Sequence, residues 1–324
     1  MKKILSVLIA VSTVMLLLCS CGSSVNTDKH KIKIMTTIFP IYDWTSNIVG
    51  ENENIEIDML LDNGVDLHSF QPTADDIINI STCDLFIYVG GESDKWVDDA
   101  LKEAVNKNMV VLDLLDILGS SVKEEEVIEG MQIGEEAEEE KEYDEHIWLS
   151  LKNASILCKA IEQAVEKIDE ANKSTYFSNA NAYIEKLDAL DSRYADCVNS
   201  SENKTVLFGD RFPFRYLVDD YGIKYFAAFV GCSAESEASF ETISFLAKKV
   251  DELGLSTVLT TEGKNNKIAK TVVSSTKNKN AKILSMNSMQ SVIKSDVENG
   301  TTYLGLMEQN LSVLKEALKA IPHN

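Results

Sequence analysis

The chain has 324 residues and a formal net charge of -21, from 52 Asp and Glu residues against 31 Lys and Arg residues. Because this length is more than one hydrophobic core usually fills, we expect two domains or one large α/β unit. An apolar share of 44% excludes a mostly disordered chain. The acidity argues against nucleic acid and anionic membranes as general partners, because both would repel the chain, and it leaves cations open.

Residues 1–20 are typical of a secretion signal rather than of a folded element. A short basic start precedes the apolar run Ile4–Leu18, which is too short for a comfortable membrane span. The small residue before Cys21, with Leu18 three positions before it, is similar to the processing site of bacterial lipoproteins. This resemblance implies cleavage before Cys21 and a lipid on its sulfur; an uncleaved N-terminal anchor is the alternative. In both cases the chain beyond a polar tether at 21–31 lies outside the cytoplasm.

Apolar runs that are typical of strands alternate with helical patterns in both halves of the chain. The eight predicted strands are Ile32–Thr37, Ile55–Leu60, Asp84–Val89, Met109–Asp113, Thr205–Phe208, Lys224–Phe229, Thr257–Thr261 and Lys282–Met286. Strands that alternate with helices imply parallel sheets covered on both faces. Among the helices, Ser239 is expected to cap the one that follows it and Gly254 to end it.

Between the halves, residues 174–200 favour one long helix. The stretch Ser174–Asn199 contains no Gly or Pro and keeps an apolar stripe at helical spacing, and such a helix is a rod of roughly 40 Å. The predicted fold class is therefore α/β. It has an N-terminal lobe at 32–173 and a C-terminal lobe at 201–324, each with a four-stranded parallel-type sheet, joined by a single long helix.

Much of the negative charge lies in one segment, residues 123–145. It holds twelve acidic residues and two lysines, and so a net charge of -10. Charges this dense repel each other, so we expect a mobile loop. Two interpretations stay open: a solvated loop that only aids solubility, or a loop that gathers divalent cations on its carboxylates. His146, the next residue, favours the second.

The four histidines give the sharpest indication of chemistry. His30 and His323 lie close to the chain ends and are expected to be inert. His68 follows the predicted strand Ile55–Leu60, and His146 leads from the acidic loop into the next helix. In open α/β sheets, loops at the carboxyl ends of strands line the ligand crevice. Two imidazoles there, each beside acidic residues that can orient the ring, suit a transition metal; an exposed surface role is the alternative for each.

Four cysteines remain beyond Cys21. They are Cys83, Cys158, Cys197 and Cys232. No Cys-x-x-Cys spacing occurs among them, so neither a zinc ribbon nor a redox motif is indicated. The sequence leaves open whether they pair as disulfides or stay as buried thiols.

The segments around the two central histidines resemble a known family. Leu67–Pro72 (LHSFQP) and Asp144–Ser150 (DEHIWLS) resemble, in order and context, the two histidine motifs of the solute-binding proteins of zinc and manganese ABC transporters. The segments Ile38–Asp43 and Thr301–Leu304 also match the pattern of that family. The resemblance covers about residues 32–320, which is nearly the whole chain after the tether.

This resemblance implies both a site and partners. It implies a metal-binding cleft between the lobes, with His68 and His146 as ligands from the first lobe and Zn²⁺ or Mn²⁺ as the transported ligand. It also implies an ABC permease and its ATPase as partners, with the lipid on Cys21 holding the protein at the membrane. The acidic loop contains no histidine, whereas this loop is often rich in His in zinc-type members of the family.

The second lobe departs from the family pattern. The family usually offers His or Glu just after the first strand of this lobe, and Gly209 stands at that position here. Its neighbour Asp210 is either a ligand or the partner of Arg211 in an ion pair. Later in the lobe, Glu262 is a candidate ligand or supporting group. Asn287 is a weak candidate ligand or a turn residue.

Three further carboxylates complete the set of candidates. Glu235 and Glu237 are alternative ligands, and Glu145 is an alternative ligand or a residue that orients a histidine. Two imidazoles with one or two carboxylates satisfy the four-coordinate preference of zinc. Manganese accepts the same set with more oxygens, and we favour zinc.

The predicted function is therefore an extracytoplasmic, lipid-anchored solute-binding protein that captures a divalent transition metal and delivers it to an ABC permease. We expect a monomer without a nucleic-acid partner. An enzyme is not expected, because no His-Glu-x-x-His or similar local motif of a zinc hydrolase is present. The alternative is a surface adhesin or structural lipoprotein with incidental metal binding, which predicts that binding does not depend on His68 or His146.

Overall fold

A computed structural model describes residues 31–132, 142–233, 237–263 and 266–319. The predicted signal peptide and Cys21 lie outside these ranges, as do His30, Glu235 and His323. The described residues from Ile32 onward belong to one compact unit. The predicted lobe boundaries stay a prediction.

The first lobe contains a parallel sheet of four strands in the order β2-β1-β3-β4. Its strands are β1 (Ile32–Thr36), β2 (Ile55–Met59), β3 (Leu85–Tyr88) and β4 (Val110–Asp113). The second lobe repeats this arrangement as β6-β5-β7-β8, again parallel. Its strands are β5 (Thr205–Phe212), β6 (Lys224–Val230), β7 (Thr257–Thr260) and β8 (Lys282–Ser285). The predicted fold class is confirmed, and the two lobes share one topology although their sequences show no repeat.

Strand β5 continues four residues beyond its predicted end. Its pairing with β6 shifts register between Phe208 and Arg211. An extra residue of this kind bends a strand and re-aims its side chains. Arg211, just past this irregularity, reaches the first lobe, where its guanidinium donates to the Asp66 carboxylate at 3.0 Å.

Helices cover both sheets. In the first lobe they are α1 (Phe39–Val49), α2 (Ala74–Thr82), α3 (Val97–Lys102), α4 (Leu114–Leu118) and α5 (Leu151–Ile168). The linking helix is α6 (Lys173–Asn199), and the second lobe adds α7 (Arg215–Tyr221), α8 (Phe240–Leu253), α9 (Lys267–Ser275), α10 (Lys294–Glu298) and α11 (Tyr303–Ala317). The predicted ends of α8 are correct: the Ser239 side chain accepts from the Thr242 backbone N–H, and Gly254 adopts a left-handed conformation with φ of 60°.

Helix α6 is anchored in both lobes. The Tyr183 hydroxyl donates to the buried Asp43 carboxylate of α1 at 2.8 Å. Three turns later, the Tyr194 hydroxyl donates to the Met307 carbonyl of α11 at 2.6 Å. Both tyrosines are buried, so the helix holds each lobe by apolar packing and by a directed hydrogen bond.

The two lobes also meet directly. One cluster of buried apolar side chains includes residues of both. Within it, the Trp148 indole N–H donates to the Ser288 carbonyl at 2.8 Å, and the Tyr303 hydroxyl donates to the Trp148 carbonyl at 2.7 Å. Such a shared core resists a wide hinge opening, because opening would expose these large side chains to water.

The acidic segment is only partly what its composition predicts. The prediction of a mobile loop over all of 123–145 is wrong for the two ends of the segment. Glu124 pairs with Tyr143 in an antiparallel bridge, and the Asp144 N–H donates to the Lys123 carbonyl at 2.8 Å. The ends are ordered because they pair with each other, and the buried carboxylates of Asp144 and Glu145 follow directly before His146. The centre of the segment lies outside the described residues.

Candidate metal site

His68 lies in a short 3-10 turn, Leu67–Ser69, after strand β2. The turn is fixed at its start because the Asp66 carboxylate accepts the His68 backbone N–H at 3.1 Å. The His68 Nδ1 lies 2.8 Å from the Ser93 hydroxyl and 3.4 Å from the Glu145 Oε2. These contacts occupy one edge of the ring and leave Nε2 facing the cleft.

His146 is held in the same way. Its Nδ1 lies 2.9 Å from the Asp144 Oδ1, which also accepts the His146 backbone N–H at 2.8 Å. The ring is completely buried. A carboxylate on Nδ1 fixes the tautomer and the orientation of a metal-binding imidazole and leaves Nε2 for the ion.

The Nε2 atoms of the two rings face each other. His68 Nε2 and His146 Nε2 are 3.4 Å apart. Two nitrogens bound at roughly 2.0–2.1 Å to one tetrahedral zinc ion are themselves roughly 3.4 Å apart. The structure therefore brings together the two histidines that the sequence singled out, at the separation that one ion requires.

The surroundings of His68 are electrostatically matched to a cation. Burial lowers the pKa of His68, but the adjacent Glu145 and then Asp66 outweigh burial, so the net pKa is raised. Burial raises the pKa of Glu145, but its hydrogen bonds to His68 and Ser93 outweigh burial and hold the net pKa below its usual range. Glu145 is thus an ionised carboxylate that orients His68, and the structure does not present it to the cleft as a ligand.

Asp210 is turned away from the histidines. Its Oδ2 accepts the Thr261 N–H at 3.1 Å and the Thr261 hydroxyl at 2.9 Å, and its Oδ1 accepts the Arg211 N–H at 2.8 Å. The carboxylate therefore joins β5 to the end of β7. An ion pair with the Arg211 side chain is not formed either, because that guanidinium bonds elsewhere.

Glu262 supports the loop after β8. Its carboxylate accepts the Ser288 N–H and the Ser288 hydroxyl, each at 2.6 Å. Asn287 has the turn role that the sequence left open, because its side-chain oxygen accepts the Met289 N–H at 2.7 Å. Glu237 is exposed and pairs with the Lys267 ammonium at 3.0 Å. Within the described ranges, neither glutamate belongs to the group of possible metal ligands around the histidines.

The close packing around Gly209 leaves no room for a ligating side chain at this position. A side chain at this position would begin 2.6 Å from the Ala269 Cα of helix α9. The position therefore faces a helix and not the cleft. Two residues further on, past the irregularity in β5, Arg211 reaches across the cleft, and its Nη2 lies 3.0 Å from the Asp66 Oδ2.

Gln290 is a second cleft residue that the sequence argument missed. Its Nε2 lies 3.2 Å from the His146 Nε2 and 3.5 Å from the Asp66 Oδ1. It belongs to the loop that Glu262 braces. An amide has no charge, and no spacing rule marked it in the sequence.

Besides Arg211 and Gln290, sequence reasoning missed Cys232. Among the described residues, one group could hold a metal ion: His68, His146 and Cys232, whose ligand atoms all lie within 4.8 Å of one another. The four cysteines beyond Cys21 are free thiols, and Cys232 alone among them is not fully buried. The available signal is its place two residues after the end of strand β6, whereas the sequence predicts only disulfides or buried thiols for the cysteines.

The fold and the imidazole pair define a class: a two-lobed α/β protein with a candidate transition-metal site in the cleft between its lobes. The family model described as "Zinc-uptake complex component A periplasmic" matches residues 34–317. The chain belongs to this family, and its predicted membership among the solute-binding proteins of metal ABC transporters is confirmed. The family consists of metal-uptake components and not of enzymes.

Two curated relatives match along almost the whole chain. The zinc-binding lipoprotein AdcA of Streptococcus pneumoniae serotype 4 is 31% identical over 320 residues, covering 98% of this chain and 61% of AdcA. The high-affinity zinc uptake system protein ZnuA of Bacillus subtilis is 30% identical over 326 residues, covering 98% of this chain and 99% of ZnuA. The chain therefore spans less than two thirds of AdcA and nearly all of ZnuA.

Solved structures share the fold. The Zn(II)-bound ZnuA-like domain of Streptococcus pneumoniae AdcA superposes with a TM-score of 0.69 at 26% identity, covering 89% of this chain and 99% of that domain. The metal-dependent lipoprotein YcdH from Bacillus subtilis gives a TM-score of 0.71 at 28% identity, with the same coverage. Within the described ranges, no helix is long and apolar enough to cross a membrane.

Proposed function

We propose that this protein captures Zn²⁺ outside the cytoplasm and delivers it to an ABC permease driven by an ATPase. Membership in a zinc-uptake family supports this function, and relatives that match nearly the whole chain are named for zinc binding and zinc uptake. The observation that carries the proposal is a pair of imidazoles, His146 buried and His68 partly buried, with Nε2 atoms 3.4 Å apart and each Nδ1 beside a carboxylate.

Zinc suits this site better than manganese. Imidazole is a good ligand for zinc, whereas manganese prefers carboxylate, carbonyl and water oxygens. The carboxylates of Asp210 and Glu262 accept hydrogen bonds from neighbouring loops, so they do not enrich the cleft in oxygen ligands. The second lobe therefore adds neither of these carboxylates to the site as the oxygen ligands that would favour manganese.

The protein acts at the outer face of the membrane in this proposal. The resemblance of the leader to a lipoprotein signal supports a lipid on Cys21, and the relative AdcA is named a lipoprotein. The protein works as a monomer, and the acidic residues of 123–145 raise the local cation concentration beside His146. Release of zinc takes place by small shifts of the loops around the site, because the lobes share a buried core.

Calorimetric titration of the metal-stripped mature protein with zinc and with manganese tests this function. We expect tight zinc binding that is lost in the double variant His68→Ala with His146→Ala and kept in the control His323→Ala. Failure of both metals to bind below millimolar concentration would exclude a role in uptake. Zinc affinity that is unchanged in the double variant would favour the adhesin or structural lipoprotein and place the metal elsewhere.

A further inference from the structure

We propose that Cys232 is the ligand that the second lobe contributes, so that zinc is held by two imidazoles and one thiolate. This inference rests on the proposed function, because it concerns the same site and the same ion. A thiolate ligand selects zinc and softer ions such as cadmium over manganese. The selectivity of the site then comes from a cysteine.

The geometry requires little adjustment. The ligand atoms of His68, His146 and Cys232 all lie within 4.8 Å of one another. A tetrahedral zinc ion with a nitrogen at roughly 2.1 Å and a sulfur at roughly 2.3 Å holds the two ligand atoms roughly 3.6 Å apart. The thiol therefore has to approach the imidazoles by about 1 Å at most, which is within the range of a side-chain rotation.

The backbone before Cys232 is fitted to His146. A side chain at Gly231 would begin 2.9 Å from the Cε1 of the His146 ring. Glycine allows the loop after β6 to rest directly on the imidazole, and this contact brings the next residue to the site. The Cys232 N–H donates to the Glu125 carboxylate at 3.0 Å, which fixes the loop from the other side.

Other polar side chains of the second lobe are poor candidates. Arg211 carries a positive charge and is paired with Asp66. The carboxylates of Asp210 and Glu262 are bound to neighbouring loops. Gln290 is a neutral amide beside His146, and water or this amide can complete a fourth position. Among the described residues of the second lobe, Cys232 is the one whose side chain can ionise and belongs to the group of possible metal ligands with His68 and His146.

The charge around the thiol favours a bound cation. The Glu125 carboxylate lies 3.0 Å from the Cys232 backbone nitrogen, and the Asp144 carboxylate lies 2.9 Å from the His146 Nδ1. Asp144 and Glu145 are buried as well. Buried negative charge of this density is costly unless a cation offsets it, and a divalent ion on Cys232 and the two histidines would do so.

The cobalt spectrum of the mature protein tests this directly and needs no variant. Co²⁺ replaces zinc as a visible probe, and bonding to a thiolate gives an intense near-ultraviolet charge-transfer band. We expect this band in the wild type and in the control Cys197→Ala, which removes a cysteine of helix α6. We expect its loss in Cys232→Ala and in Cys232→Ser. A cobalt-loaded wild type without the band would overturn the proposal.

Metal titrations of the same variants measure selectivity. Cys232→Ala should weaken zinc binding by at least tenfold and manganese binding by less than twofold, with circular dichroism confirming the fold. Zinc affinity unchanged in Cys232→Ala but lost in His68→Ala would refute the role of Cys232 and leave the proposed function standing. Zinc affinity that depends on neither residue would refute both.

Discussion

The two lobes have the same strand order but present different chemistry to the cleft. The first lobe offers two imidazoles, each backed by a buried carboxylate. The second offers Arg211, Gln290 and Cys232 at the corresponding edge. His68 follows the second strand of its lobe and Cys232 follows the second strand of the other. The shared strand order therefore fixes the positions at the cleft, and the residues of the loops determine which side chains occupy these positions.

The largest expected effect is the difference between a ligand of the first lobe and an amide of the second. His146→Ala should weaken zinc binding by more than the roughly 10–100-fold that loss of an outer hydrogen-bonding partner costs. Gln290→Ala should weaken it by roughly tenfold or less, because one neutral hydrogen bond contributes only about 0.5–1.5 kcal/mol. Competition with a chelator of known affinity measures both. Equal losses would remove the distinction between the lobes.

The next largest loss of zinc affinity is expected when the carboxylates behind the histidines are changed. Asp144→Asn and Glu145→Gln should each weaken zinc binding roughly 10–100-fold, since each removes a charged acceptor that orients an imidazole. Glu237→Gln is the matched control, because Glu237 is an exposed carboxylate paired with Lys267. If the control weakens binding as much as the other two, net charge and not orientation is responsible.

Removing the fixed cation of the second lobe should act in the opposite direction. Arg211→Gln should tighten zinc binding roughly three- to fivefold, the size of one unit charge acting on a divalent ion across on the order of 10 Å of water-like dielectric. Arg193→Gln, which breaks an exposed ion pair with Glu308, is the control. Weaker zinc binding in Arg211→Gln would mean that the bond to Asp66 matters more than the repulsion.

The smallest effect on zinc, but a measurable one on stability, concerns Asp94 of the first lobe. Burial raises the pKa of this carboxyl to about 7, although its Oδ2 accepts the Val89 and Gly90 N–H groups, both at 3.0 Å. The folded state therefore binds this proton more tightly than the unfolded state does. Its contribution to stability is present at low pH and is lost as the pH rises from about 4 to about 7.

Thermal unfolding from pH 4 to pH 8 checks this sign. Relative to the wild type, Asp94→Asn should become progressively more stable as the pH rises, because the amide has no charge to bury. Asp98→Asn, at an exposed position of α3, should leave the pH dependence unchanged. A difference between Asp94→Asn and the wild type that is constant over this range would show that Asp94 does not titrate there.

The sequence predicted the fold well because its information is local. All eight predicted strands are present within one residue of their predicted bounds, except that β5 ends four residues later, since apolar runs and helical spacing report burial directly. The positions of His68 and His146 were predictable for a related reason. Each histidine lies within a recognisable motif at a strand or helix boundary, and the ends of strands line the crevice of such sheets.

The second half of the site was not predictable from local patterns. Gly209 stands at the position where the family usually offers His or Glu, but past the register shift in β5 it is Arg211 that reaches the cleft. Asp210 and Glu262 look like free carboxylates in the sequence, and only the fold shows that Thr261 and Ser288 occupy them. These outcomes depend on contacts between distant segments.

X-ray absorption at the zinc edge of the loaded mature protein counts the ligands that the two lobes supply. We expect two imidazole nitrogens at roughly 2.0–2.1 Å and one sulfur at roughly 2.3 Å, with the sulfur absent in Cys232→Ala and the imidazoles absent in the double histidine variant. A shell of oxygen ligands without imidazole or sulfur in the wild type would contradict this expectation.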